Sequence, residues 1–117
     1  MRIILYHNPG CSTSRKVLAA LTEAGRAPQV IEYLKNPPTS AELNNLLKEM
    51  GMQPREILRK SGGLYASLGL DDPALSDTDI LAAIDQHPVL MQRPILVTDM
   101  GTRLCRPVEK MQEILPQ

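Results

Sequence analysis

The sequence has few aromatic residues, and this scarcity limits what the protein can bind. Three tyrosines stand among the 117 residues, with no phenylalanine and no tryptophan. Because proteins bind single-stranded nucleic acids by stacking the bases on aromatic rings, we expect no surface of that kind. The hydrophobic core must therefore be aliphatic.

An excess of charge of one sign is also missing. Lys and Arg together number 13, and Asp and Glu together number 13, so the formal net charge is zero with neutral histidines. This balance removes the electrostatic argument for binding nucleic acid or an anionic membrane. With 43% hydrophobic and 22% charged residues, the composition is that of a soluble globular protein.

Long apolar runs and cysteine clusters are lacking as well. The longest runs, residues 17–21 and 80–84, are far shorter than the roughly 20 residues that a membrane-spanning helix needs. Only Cys11 and Cys105 are present, 94 positions apart, which fits neither a zinc ligand set nor a disulfide framework. No export signal precedes the turn at residues 8–10. We therefore expect a cytoplasmic protein with reduced thiols, no membrane association and no metal.

The first third of the chain predicts a βαβ unit. Residues 3–6 form a short apolar run that is typical of a strand buried on both faces. Apolar residues then recur at helical spacing over 14–24, and Gly25 follows at the position of a C-terminal cap. Residues 30–34 predict a second strand, and parallel strands joined by a helix usually connect with right-handed geometry.

The rest of the chain predicts a helical segment followed by two strands and a last helix. The helices of the segment are predicted to begin at Thr39, Pro54 and Ser76, of which Thr39 and Ser76 have the spacing of N-terminal caps. Strands are predicted around 95–97 and 104–106, on either side of a turn at residues 99–101. The last helix, beginning at Pro107, is predicted to bury Val108, Met111, Ile114 and Leu115.

This order of elements predicts an α/β fold of the thioredoxin type. A βαβ unit, a helical insert and a ββα unit would form a small mixed sheet flanked by helices. The length suits a single core. We therefore predict one thioredoxin-like domain over residues 1–117, with a helical insertion at about 39–88.

Cys11 is the first candidate for chemistry, because it lies just before the predicted start of the first helix. Free backbone N–H groups and the positive end of the helix dipole meet there, and both lower the pKa of a thiol. The same amides can bind an oxyanion, with Arg15 as a nearby cation. The alternative is a buried cysteine that behaves as a small hydrophobe. The polar neighbours Ser12, Thr13 and Ser14 favour the reactive interpretation.

Cys11 and Ser14 have the spacing of a Cys-x-x-Cys redox pair with serine at the second position. Such a protein cannot resolve its own mixed disulfide and must use a thiol from elsewhere. Ser14 can donate a hydrogen bond to the sulfur of Cys11, cap the helix, or do both. We interpret Cys105, between Leu104 and Arg106, as structural, with a role as resolving thiol as the alternative.

Residues 6–15 (YHNPGCSTSR) resemble the active-site loop of the glutaredoxin-dependent arsenate reductases. Further segments resemble later parts of that family in the same order, so the resemblance covers nearly the whole chain. These segments are residues 36–38, 57–60, 87–88, 93–95 and 101–107.

The resemblance implies that Cys11 attacks arsenate and that Arg59, Arg93 and Arg106 hold the oxyanion. Arsenate is a tetrahedral, phosphate-like anion, for which planar guanidinium groups are well suited. Taken alone, each arginine is more often a solvated surface residue. Arg93 is the strongest candidate, because Arg93-Pro94 resembles the cis-proline loop that faces the active cysteine in thioredoxin folds.

The resemblance also suggests a role for His7. Protonated, it would stabilise the Cys11 thiolate; the alternative is a histidine that is merely hydrogen-bonded in the loop. The other histidine, His87, precedes a proline and is interpreted as ending a helix. Two isolated histidines do not form a metal site.

The resemblance implies an oxidoreductase that reduces arsenate to arsenite, with glutathione and glutaredoxin as electron donors and no tightly bound cofactor. Two alternatives remain open at this point. A monothiol disulfide oxidoreductase acting on glutathionylated proteins would need Cys11 but not all three arginines. A thioredoxin-fold regulator binding RNA polymerase would use the loop as a redox switch, although such regulators commonly have Cys-x-x-Cys, which Ser14 interrupts.

Overall fold

A computed structural model describes residues 1–116, in which four strands, four α-helices and three 3₁₀ helices follow one another. The strands are β1 (Ile3–His7), β2 (Gln29–Glu32), β3 (Ile95–Thr98) and β4 (Gly101–Leu104). The α-helices are α1 (Ser12–Glu23), α2 (Ser40–Met50), α3 (Leu64–Ser67) and α4 (Asp77–Gln86). The 3₁₀ helices cover Pro54–Ile57, Pro88–Leu90 and Val108–Ile114. Along residues 1–116, no helix combines the length and the apolar character that crossing a bilayer requires.

The strands form one mixed sheet in the order β2-β1-β3-β4. Strand β1 runs parallel to β2, with Leu5 opposite Val30, and antiparallel to β3, with Leu5 opposite Leu96. Central strands are covered on both faces, which explains why Leu5 and Leu96 are fully buried. At the edge, Val30 is 42% exposed. The mixed sheet flanked by helices confirms the predicted α/β class.

The chain divides into two compact units. The first comprises Met1–Asn36 together with the chain from Arg93 onward, and the second comprises Pro37–Gln92. The bounds of the second unit lie close to those of the predicted helical insertion, about 39–88. That residues 1–117 form a single domain stays a prediction.

One buried cluster of the first unit contains no aromatic residue, although Tyr6 and Tyr33 are also buried in this unit, so its core is not purely aliphatic as expected. Helix α1 contributes Val17 and Leu21, which are four residues apart and therefore lie on the same face. Each such side chain stabilises the fold by about 1.5–3 kcal/mol when it is withdrawn from water. The buried cluster consists of Ile3, Leu5, Val17, Leu21, Leu96, Cys105, Met111, Ile114 and Leu115.

Local signals in the sequence explain where the helices of the second unit begin. Thr39 accepts a hydrogen bond from the Glu42 N–H (3.1 Å), and the Glu42 carboxylate accepts one from the Thr39 N–H (3.0 Å), which is a capping box for α2. Ser76 and Asp79 cap α4 in the same way. Gly51, at φ 68°, ends α2 in the left-handed region that favours glycine. The predicted starts of both helices are confirmed.

The second hairpin strand differs from its prediction. Strand β4 begins at Gly101, directly after a two-residue turn, whereas the sequence predicts a strand around 104–106. The hydroxyl of Thr98 organises this turn, because it accepts the Met100 N–H (3.0 Å) and donates to the carbonyl of Ile114 (2.6 Å). A hydrogen bond between residues 98 and 114 cannot be predicted from the local sequence. Because β4 ends at Leu104, Cys105 follows the strand instead of lying in it.

Smaller differences concern three other segments. The second strand ends at Glu32, and residues 33–36 form turns. The short helix α3 was not predicted. The last helix is 3₁₀ over Val108–Ile114, and its buried positions Met111 and Ile114 are three residues apart, the repeat of a 3₁₀ helix.

Candidate active site

The loop between β1 and α1 places Cys11 at the N-cap of the helix. Its backbone is extended (φ −100°, ψ 123°), and its carbonyl accepts the first helical hydrogen bond, from Arg15 (3.0 Å). The Cys11 N–H donates to the carbonyl of Asn8 (3.0 Å), which closes a tight turn. The thiol is therefore directed at the free amides of the first helical turn while only 9% of the residue is exposed.

The environment of the thiol favours the ionised form. Burial by itself would raise the pKa of Cys11, but the backbone N–H of Ser14, the guanidinium of Arg93 and the N–H of Thr13 outweigh it and lower the pKa below its ordinary value. The thiolate is the nucleophilic form of cysteine. The geometry thus places a thiol of lowered pKa at the start of α1.

Arg93 is buried beside this sulfur. It stands two residues before the start of β3, is joined to Pro94 by a cis peptide bond, and is only 7% exposed. Within residues 1–116, its Nε and Nη1 have no hydrogen-bond partner. Since unpaired buried charge is costly, two free donors on one guanidinium mark a place where an anion fits.

Arg106 completes the positive side of the site. Its Nη1 lies 3.9 Å from the Sγ of Cys11 and donates to the carbonyl of Arg93 (3.1 Å). The Cys105 N–H donates to the carbonyl of Pro94 (2.9 Å), so the chain before Arg106 is tied to the cis-proline segment. The structure therefore brings together Cys11, Arg93 and Arg106.

Ser14 is fully buried, and its hydroxyl does not follow either predicted role. The Oγ accepts the N–H of Asn8 (3.0 Å) and lies 2.6 Å from the Nδ1 of His7. The N-cap is Cys11, and Ser14 is the third residue of α1. Its influence on the thiol comes from its backbone N–H instead of the expected hydroxyl.

His7, the last residue of β1, is 6% exposed. Burial lowers the pKa of His7; Glu32, its partner on β2, acts to raise the pKa, and Arg15 acts to lower it further. The neutral ring hydrogen-bonded to Ser14 is therefore favoured over the protonated ring. Within residues 1–116, no three His, Cys, Asp or Glu side chains are grouped to hold a metal ion.

Asn8 and Tyr33 belong to the site, although the sequence did not identify them. The side chain of Asn8 accepts the Gly10 N–H through Oδ1 (2.9 Å) and donates to the phenol oxygen of Tyr33 through Nδ2 (3.4 Å). Burial raises the pKa of Tyr33, while the hydrogen bond from Asn8 and the charges of Arg93 and Arg106 act to lower it. The turn-forming run at residues 8–10 was the only local signal.

Arg59 lies in the second unit. It follows the 3₁₀ helix Pro54–Ile57, is half-buried, and its N–H donates to the carbonyl of Leu90 (2.7 Å). Its assignment to the oxyanion stays a prediction.

Cys105 contrasts with Cys11. It is fully buried in the aliphatic core, and burial raises its pKa to about 12. A thiol that stays protonated is unreactive. This environment agrees with the structural interpretation.

The ArsC family model matches residues 6–114. This chain belongs to the ArsC family. Among similar members, the arsenate reductase of Rhizobium meliloti (strain 1021) is 48% identical over 116 residues, which are 99% of this chain and 83% of that protein. The arsenate reductase of Escherichia coli (strain K12) is 46% identical over 114 residues, 97% of this chain and 81% of that protein.

The solved structure of an arsenate reductase from Vibrio cholerae has the same fold as this ArsC chain. The two superimpose with a TM-score of 0.94 at 44% identity, over 98% of each chain. The family resemblance stated from residues 6–15 and the predicted thioredoxin-like fold are thereby confirmed.

Proposed function

We propose that this protein is an arsenate reductase, an oxidoreductase that converts arsenate to arsenite with Cys11 as the nucleophile. One observation carries the proposal: among the described residues, 1–116, the buried guanidinium of Arg93 has no hydrogen-bond partner for Nε or Nη1, and it lies beside a thiol of lowered pKa. The relatives named arsenate reductases support the choice of oxyanion.

The free donors suit a tetrahedral oxyanion. Arg93 offers donors on both Nε and Nη1, and Arg106 adds a second guanidinium. The amides of the first turn of α1 add neutral donors. The resemblance adds Arg59 as a third cation. Together these groups would neutralise the substrate's charge as the sulfur approaches.

The first step is nucleophilic. The Cys11 thiolate attacks the arsenic atom, a sulfur–arsenic bond forms, and one arsenate oxygen leaves as water after protonation. Arsenic stays As(V) in this cysteinyl adduct. A lowered thiol pKa makes the attack feasible at neutral pH, because a larger fraction of the sulfur is already ionised.

The electrons then come from external thiols. Glutathione displaces a second oxygen as water and forms a second sulfur–arsenic bond. A glutaredoxin thiolate attacks the glutathione sulfur, giving a mixed disulfide and leaving the electron pair on arsenic, which becomes As(III). Hydrolysis of the remaining bond releases arsenite and regenerates Cys11.

External donors are required because the chain offers no second reactive thiol near Cys11. Ser14 stands where a Cys-x-x-Cys protein has its resolving cysteine, and Cys105 is buried with a raised pKa. Glutathione and glutaredoxin are therefore proposed as co-substrate and partner. Such donors work in a reducing compartment, which accords with a cytoplasmic location.

His7 and Ser14 are proposed to support the nucleophile without taking part in bond changes. Their side chains lie 2.6 Å apart, and Ser14 also accepts the N–H of Asn8. This linkage ties the end of β1 to the first turn of α1. A neutral His7 would act by orienting Ser14.

A coupled assay tests the proposed function. Arsenate-dependent oxidation of NADPH is followed with glutathione, glutathione reductase and glutaredoxin, comparing the wild type with Cys11→Ser and Cys105→Ser. We expect Cys11→Ser to abolish turnover and Cys105→Ser to retain it. Equal rates for the wild type and Cys11→Ser would overturn the proposal. Phosphate in place of arsenate is a control, since it can bind but accepts no electrons.

A further inference from the structure

Tyr33 combines complete burial with a polar contact to the loop that carries Cys11. It follows the edge strand β2, where Val30 is 42% and Leu34 is 45% exposed, yet Tyr33 itself is not exposed at all. A buried phenol usually has a hydrogen-bond partner. Here the phenol oxygen accepts a hydrogen bond from the Nδ2 of Asn8 at 3.4 Å.

Asn8 in turn organises the turn before α1. Its Oδ1 accepts the N–H of Gly10 (2.9 Å), and its carbonyl accepts the N–H of Cys11 (3.0 Å). Its own N–H donates to the Oγ of Ser14 (3.0 Å). One residue, itself 8% exposed, thus contacts the turn, the nucleophile and the first turn of the helix.

The amide plane of Asn8 has two ends, and both are engaged. Oδ1 can accept the Gly10 N–H only while Nδ2 points away from the turn, and in that orientation Nδ2 donates to the phenol oxygen of Tyr33. Without that acceptor, a buried amide donor would be left unsatisfied, which favours rotation of the side chain away from its present position. The turn would then lose its bond to Gly10.

We propose that Tyr33 is a positioning residue that acts through Asn8 to hold Cys11 and the first amides of α1 in place. The effect of Tyr33 on arsenate turnover rests on the proposed function. The effect of Tyr33 on the pKa of Cys11 does not, because the ionisation of Cys11 is measured without arsenate.

The test is the substitution Tyr33→Phe, which removes the hydroxyl and keeps the ring. Because the amides of Thr13 and Ser14 help to ionise the thiol, loosening the turn should raise the pKa of Cys11. We expect a rise of about half a pH unit, measured as an equal shift in the midpoint of the pH profile of alkylation by iodoacetamide. The pKa is read from the pH dependence of the alkylation rate.

Two further variants separate positioning from general destabilisation. Tyr65→Phe removes a phenol hydroxyl in the second unit and should leave the pKa of Cys11 unchanged. Asn8→Ala should raise that pKa at least as much as Tyr33→Phe does. If Tyr33 acts through Asn8, adding Tyr33→Phe to Asn8→Ala should have no further effect.

The outcomes are distinct. An unchanged pKa of Cys11 in Tyr33→Phe, even with a lowered melting temperature, would overturn the proposal, because Tyr33 would then only fill space. Additive shifts in the double variant would also overturn it, since they would mean that Tyr33 acts independently of Asn8. Turnover by Cys11→Ser would instead refute the proposed function and leave these thiol measurements unaffected.

Discussion

The two cysteines of this chain illustrate how position decides chemistry at the scale of a residue. Both are buried, but Cys11 faces backbone N–H groups and Arg93, whereas Cys105 lies among aliphatic side chains. Donors and positive charge stabilise the thiolate, so the pKa of Cys11 falls. An apolar surrounding penalises it, so the pKa of Cys105 rises to about 12.

The raised pKa of Cys105 predicts a loss of stability at alkaline pH. The folded state keeps this thiol protonated, so its contribution is fully present below the ordinary thiol pKa of about 8.5 and is lost as pH rises towards about 12. Between pH 7 and pH 10, the free energy of unfolding of Cys11→Ser should fall by on the order of 2 kcal/mol more than that of the double variant Cys11→Ser/Cys105→Ala. Urea unfolding measures both variants.

The shared Cys11→Ser substitution removes the other thiol from this comparison. That matters because the lowered pKa of Cys11 changes stability with pH in the opposite direction. Its contribution to the free energy of unfolding is present above the ordinary thiol pKa and is lost as pH falls through the lower pKa of the folded state. A stability difference between the two variants that is independent of pH would contradict the prediction.

We expect the burial of the Arg93 guanidinium to lower the free energy of unfolding while it supports arsenate turnover. Replacing an incompletely paired buried charge by an apolar side chain of similar size removes a desolvation cost. Arg93→Met should therefore raise the free energy of unfolding by about 1 kcal/mol while arsenate turnover is lost and the pKa of Cys11 rises. Chemical denaturation, the coupled assay and thiol titration measure the three effects.

Arg2→Met is the matched control for this substitution, because Arg2 is exposed near the N-terminus. It should change neither turnover nor the pKa of Cys11. If Arg93→Met instead lowered the free energy of unfolding by more than 1 kcal/mol, about the size of a typical destabilising substitution, Arg93 would be a structural group and not a vacant anion ligand.

At the residue scale, the sequence predicted that Cys11 lies at the start of a helix but not what surrounds it. Cys11 precedes a helix, and that position alone implies free amides and a lowered pKa. The contacts of Asn8 with Tyr33 and of Ser14 with His7 connect residues 25 and 7 positions apart. Such pairs depend on how β1, β2 and α1 pack, which no local pattern specifies.

At the scale of elements, helix starts were the most predictable features. The capping box of α2 predicts that Thr39→Ala lowers the free energy of unfolding by about 1 kcal/mol, because the Glu42 N–H loses its acceptor. Thr78→Ala, an exposed threonine inside α4, should change it by less than about 0.5 kcal/mol. Urea titration of both variants measures the difference, and equal effects would contradict a capping role.

Elements that depend on distant contacts were predicted less well. Strand β4 begins earlier than expected because Thr98 joins its turn to Ile114. The Cys105 N–H still bonds to the carbonyl of Pro94, the next residue in the same register, but Pro94 has no N–H to donate in return and the ladder ends there. The last helix was placed correctly but is 3₁₀, since its apolar residues repeat every three positions. A capping box depends on residues only three positions apart, whereas the register of a strand depends on residues of other strands that are distant in the sequence.

At the scale of the whole molecule, the residues proposed for the oxyanion come from distant parts of the sequence. Arg93 and Arg106 belong to the first unit with Cys11, and Arg59 belongs to the second. A thiol chemistry that needed only Cys11 would have no use for a guanidinium from Pro37–Gln92. Arg59 therefore discriminates between arsenate reduction and a general monothiol oxidoreductase.

Arg59→Ala should lower kcat/KM for arsenate by about tenfold to a hundredfold, the range expected for a lost hydrogen bond to a charged group. The same variant should keep wild-type rates towards a glutathionylated protein, since that reaction involves no oxyanion. Lys60→Ala, an exposed neighbouring cation, should behave as wild type in both assays. If Arg59→Ala leaves arsenate turnover intact, the role that the family resemblance gives to Arg59 is wrong for this chain.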